Sequence, residues 1–179
     1  MSKSILCIVP DIPRAELVVD GLRRAGFASN DVSVLLPDRT ATRDFAVEHS
    51  TKAPEGAVAG IGAGGALGGT LGWLAGIGAL AIPGLGPFIA AGPILGALSG
   101  AAVGAAVGGI AGSLIGMGVP EYEARQYEGK LKDGQILIST HVGDDEKAKL
   151  ARGIYERHNA EAITVTTDAK VPSKKAPTR

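Results

Sequence analysis

Between Glu55 and Glu121 the chain has no charged side chain. These 65 consecutive residues also hold 21 of the 27 glycines, in a protein with 18 basic and 18 acidic side chains overall. A stretch this long and apolar is not a solvated linker, so its surface has to be covered by protein, by another copy or by lipid. The motif "IPGLGP" (82–87) divides the block, because two prolines and two glycines in six residues stop a helix and make a turn. The segments on either side, 57–82 and 88–118, each exceed the roughly 20 apolar residues that a helical bilayer span needs. The block therefore predicts a helical hairpin over 57–118, transmembrane, with its turn on the far side of the bilayer.

Within that hairpin the glycines fall at every fourth position. Gly60, Gly64, Gly68, Gly72 and Gly76 line the first segment, and Gly92, Gly96, Gly100, Gly104, Gly108, Gly112 and Gly116 the second. Glycine costs about 1 kcal/mol per helical site relative to alanine. Such a run is useful where small residues let helix backbones approach closely, as they do in membranes. Each step of four residues advances the stripe by about 40°, so the second run winds through about 240°. One neighbour cannot use all of it. The pattern predicts helix packing within the hairpin and self-association into a homo-oligomer. A soluble assembly driven by the same hairpin is the alternative, since the rest of the chain is too small to cover two such helices.

The flanks read as alternating strands and helices. "SILCIVP" (4–10) and "DVSVLLP" (31–37) are short apolar strands around a helix that Asp11 and Pro13 start and Gly26 stops. After the block, Pro120 opens a helix that Gly134 ends, followed by "QILISTHV" (135–142), a helix capped by Asp144, and "AITVTT" (162–167). Two β-α-β halves predict an α+β fold, a four-stranded ferredoxin-like sheet backed by two helices and interrupted by the hairpin. The domain plan is 1–50 for the first half, 57–118 for the hairpin, 119–168 for a helix plus the second half, and 169–179 for a disordered Pro/Lys-rich tail. Both halves must meet, so both ends of the hairpin lie on one side. Arg39, Arg43, Lys52, Arg125, Lys130 and Lys132 place that side, with both termini, in the cytoplasm. The N-terminus turns polar too soon for a cleavable signal peptide.

Site chemistry is sparse. The zero net charge argues against a nucleic-acid partner. The single cysteine, Cys7, reads as a core residue of a strand. His49, His141 and His158 have no partner at metal-ligand spacing, so no metal site is expected. Asp144, Asp145 and Glu146 suit a helix N-terminus. Ser99, Ser113 and Thr70 have no nearby base to activate them. "GIGAGGALGG", with Gly60, Gly62 and Gly65, lacks the lysine and the acidic residue of a phosphate-binding loop. Tyr122 falls where an interfacial anchor belongs, Tyr127 is a second amphipathic aromatic, and Trp73 reads as a packing residue. No catalytic residue, cofactor or metal is expected.

The segments "GALAIPGLGPFIAAGPILGAL" and "GAAVGAAVGGIAGSLIGMGVPEYEARQYEGKLKDGQILISTHV", together with the N-terminal β-α-β, resemble bacterial general stress proteins of the heat-induced, 17M-like type. The likeness covers nearly the whole chain and is most specific at "IPGLGPFIAAGP" and "GMGVPEYEA". It implies a bacterial, stress-associated protein of the inner (cytoplasmic) membrane, and it supplies no catalytic residues. A weaker likeness, in architecture only, is to the small two-helix membrane subunit of alternative complex III quinol oxidoreductases. The expected function is a non-catalytic membrane protein that self-assembles. The alternatives are a pore or permeability element and an accessory subunit of a larger membrane complex.

Overall fold

The computed structural model describes residues 3–37, 73–74, 77–82, 86–94 and 102–167. The elements are β1 (Lys3–Val9), α1 (Ile12–Arg24), β2 (Val32–Pro37), β3 (Ile77–Ile82), β4 (Gly86–Ala91), α2 (Ala102–Gly116), α3 (Glu121–Lys132), β5 (Ile136–Val142), α4 (Asp145–Arg157) and β6 (Glu161–Thr167). A short 3-10 turn at Ser29–Asp31 leads into β2. The fold is α+β. Among the described residues, six strands form one antiparallel sheet in the order β3-β4-β2-β5-β1-β6.

The part β2-β5-β1-β6, with α1 and α4 on one face, is compatible with the ferredoxin-like arrangement that the two β-α-β halves predict. The halves repeat in detail. Asp11 caps α1 by accepting from the Arg14 amide (2.9 Å), and Asp144 caps α4 by accepting from the Lys147 amide (2.7 Å). Each cap satisfies an amide that the first helical turn leaves without a partner. After the helices, Gly26 (φ 88°) and Asn159 (φ 53°) take the left-handed conformation that commonly ends a helix. The helices touch at Gly21, where an added Cβ would stand 2.9 Å from Ile154 Cγ2.

Both faces of the sheet are covered. Ile5, Cys7 and Val9 of β1 point to the α1–α4 side, with Val32, Val34, Ile136 and Ile138 from the neighbouring strands. Leu6, Ile8, Leu35 and Leu137 point the other way, against Ile110, Leu114, Tyr127 and Leu131 of α2 and α3. Strand side chains alternate, so a strand buried on both sides must be apolar without interruption. That is why β1 reads "ILCIV".

Three expectations need correction. The four-stranded sheet is widened to six, because β3 and β4 join it beside β2. The helical hairpin fails over its central part, since Ile77–Ile82 and Gly86–Ala91 are strands paired to each other. Each is an apolar run of six residues, within the usual length of a strand and too short for a stable helix between glycines and prolines. The turn expected at 82–87 falls mostly on 83–85, which lie outside the described residues. Pro87 lies beyond the last pair of the β2–β4 ladder, Pro37 with Phe88, where no backbone donor is needed on that side. Third, among the described residues no helix is long and apolar enough to cross a membrane.

Candidate functional site at the inserted segment

The inserted segment is fastened to the sheet by specific contacts. β4 pairs with β2 from Val34–Ala91 to Pro37–Phe88, and Phe88 and Ala90 are buried. Where β4 ends, Gly92 adopts φ 81°. A Cβ there would lie 2.1 Å from the Val32 carbonyl oxygen and 3.0 Å from Ser33 Cα. Only glycine allows both the backbone conformation and the close approach. Two residues on, the Ile94 amide donates to Ser33 Oγ (3.1 Å) in the interior. At Gly92 the close approach is therefore that of a turn to a strand.

Of the other ridge glycines, Gly104, Gly108, Gly112 and Gly116 fall on α2. Gly60, Gly64, Gly68, Gly72, Gly76, Gly96 and Gly100 lie outside the described residues, as do His49, Thr70, Ser99 and the 169–179 tail. A Cβ on Gly116 would meet nothing within 4 Å. The ridge is also interrupted. Gly109 has φ 59° and ψ −150°, a conformation nearly restricted to glycine, and it breaks α2 in two. The break exposes backbone donors at the start of the second half. Glu128 of α3 supplies a carboxylate for one of them, accepting from the Ala111 amide (3.1 Å) while it pairs with Lys132 (2.8 Å). Ser113 Oγ donates to the Gly109 carbonyl (3.2 Å). A carboxylate also suits the positive end of a helix.

Past the break, α2 packs on α3 through Ile110, Ala111 and Leu114, and Val119 fills the corner between the helices. Two large side chains at this corner stay outside. Ile115 is 42% exposed and Tyr122 is 80% exposed. Tyr127, five residues further along α3, is buried and its hydroxyl donates to the Ala162 carbonyl (2.6 Å). It is thus a core residue rather than an amphipathic anchor, and burial pushes its phenol well above the usual range. Trp73 is partly buried against the α1–α4 side of the core, the packing role its position suggests.

Cys7, Tyr155, His141 and His158 make their contacts within the fold. Cys7, buried as expected, lies beside Tyr155, and burial raises the pKa of both thiol and phenol. The Tyr155 hydroxyl is hydrogen-bonded with Thr140 Oγ1 and donates to the Ile5 carbonyl (3.3 Å), tying α4 to β5 and β1. His141 lies opposite Ser4 across the β1–β5 ladder, with Nδ1 at 3.4 Å from the hydroxyl. His158 ends α4, and its carbonyl accepts from Arg14 (3.3 Å). Among the described residues no group of three or more His, Cys, Asp or Glu side chains is placed to hold a metal ion.

Sequence reasoning missed Ser33, Gly109 and Glu128. Ser33 carried no signal, because a single serine in a strand has many uses. Gly109 did carry one: the Gly108-Gly109 pair steps off the four-residue register, and paired small residues are a common cause of helix kinks. No family profile, curated protein or solved structure matches the chain.

Proposed function

We propose that the protein is a non-catalytic, membrane-associated stress protein that self-assembles. Its α+β domain holds both ends of an uncharged segment that attaches it to lipid and to other copies of itself. The observation that carries this reading is the pairing of β2 with β5 in one sheet. These strands flank the 65-residue uncharged block on its two sides in the sequence, so one domain anchors both of its ends. Ile115 and Tyr122 support the lipid part, because exposed apolar and amphipathic side chains beside an uncharged segment suit a bilayer interface. The strands at 77–82 and 86–91 lie inside the stretch that the helical hairpin would occupy, so attachment is proposed at the interface rather than across it. The link to stress, and residence at a bacterial inner membrane with the domain on its cytoplasmic side, rest on the family resemblance and the flanking basic residues.

Flotation of the full chain with vesicles of bacterial lipid tests this. The protein is expected to rise with the vesicles, and the double variant Ile115→Ser, Tyr122→Ser to rise less. Wild-type protein that stays at the bottom of the gradient at every lipid concentration would overturn the membrane reading.

A further inference from the structure

The two edges of the sheet are built differently. At β6, Glu161 pairs with Lys130 (2.7 Å), and the register with β1 shifts between Leu6 and Ile8, beside Ala162 at φ 50°. An edge charge and a local bulge both hinder pairing with another chain. At the other edge, β3 reads "IGALAI", with no charge and no proline. Among the described residues it is bonded on one side only, to β4. A neutral, apolar edge presents a row of backbone donors and acceptors to any strand that can align with it.

We propose that β3 is a self-association interface, pairing antiparallel with β3 of a second copy so that two sheets become one. This deepens the self-association part of the proposed function and rests on it. A second copy fits better than a foreign strand for an electrostatic reason. A two-fold axis sets a segment against itself, and like charges opposite one another destabilise a strand pair. β3 is neutral throughout, so it meets that condition and offers a foreign partner no charge to recognise.

Geometry narrows the register. Residues opposite each other in an antiparallel pair share a sheet face, and successive residues alternate faces. Under a two-fold axis an odd-numbered residue can then oppose only an odd-numbered one. The axis must pass through a residue, and the longest overlap puts it at Ala79 or Leu80. Ile77 and Ile82 are never opposite, despite the near-palindrome of the segment.

Charge exchange at Ala79 tests the interface in either register, using the full chain in detergent and native mass measurement. Wild type is expected to be dimeric or higher. Ala79→Lys and Ala79→Glu alone should each weaken the association, by up to about fivefold. Refolding the two variants together should restore it, which also shows that both fold. If wild type is oligomeric and neither variant weakens it, or if the mixture gives no recovery, the β3 interface is wrong while self-association stands. A monomeric wild type overturns both.

Discussion

In the frame made by β1-α1-β2 and β5-α4-β6, each helix begins at a polar side chain and ends at a left-handed residue. Asp11 and Asp144 start the helices, and Gly26 and Asn159 follow them. In the inserted segment the same tasks fall to residues with no polar side chain of their own. Gly92 turns the chain at the end of β4, Gly109 breaks α2, and hydrogen-bonding groups come from outside the segment, from Ser33 of β2 and Glu128 of α3. The difference teaches that an uncharged segment can be built into a charged domain if the domain lends it caps. Close glycine approaches join helix to helix at Gly21 within the frame and turn to strand at Gly92 in the insertion.

The largest expected effect comes from a frame strand that the α2–α3 layer covers. Leu137 of β5 is fully buried on that face of the sheet. Leu137→Ala should lower stability by about 2–5 kcal/mol through lost burial and the remaining cavity. Chemical denaturation measures it, and a loss below about 1 kcal/mol would mean that the layer is not packed on the sheet.

Gly92→Ala separates the two regions. It forces a left-handed alanine against the Val32 carbonyl, at a cost of about 2–4 kcal/mol. The loss should be local. Hydrogen exchange should speed up at Phe88–Ala91 while β1 and β5 keep their protection. Equal loss across all strands would show the insertion and frame to be one cooperative unit.

The smallest effect is acid sensitivity, and it belongs to the flanks. Asp145 is held below the ordinary carboxylate range by a hydrogen bond from Lys3, and by that ion's charge; Lys130 does the same for Glu161. A depressed carboxylate adds stability above its unfolded pKa and loses it as pH falls through the folded value. Both acids are fully exposed, so solvent screening keeps the contribution small. On acidification, exchange at the β6 start and the α4 start should rise before exchange in β4, where no ionisable group lies. The reverse order would assign the acid response to other groups.

The frame was legible in the sequence because its polar and apolar residues contrast. Strand runs ended at Asp11 and Asp144, and the helices carried apolar faces through Val18, Val19 and Leu22 and through Ala151, Ile154 and Tyr155. The insertion had no such contrast. With every residue small or apolar, periodicity could not distinguish helix from strand, and the glycine register suggested a helix. Run length and the prolines at 83 and 87 pointed the other way, toward strands of six residues. The candidate site was legible in part. Tyr122 was singled out as an interfacial anchor at the end of the block and is exposed, whereas Ser33 and Glu128 act across the fold and have no local signature.

The central claim is that residues 77–91 are an antiparallel extension of the domain's sheet. Backbone chemical shifts of the full chain, with nuclear Overhauser contacts between Val34 and Ala91 and between Ala79 and Ile89, test it most directly. The account predicts strand-type shifts over Ile77–Ile82 and Gly86–Ala91 and close contacts at both pairs. Helical shifts through these residues, with neither contact present, would contradict it and restore the helical hairpin.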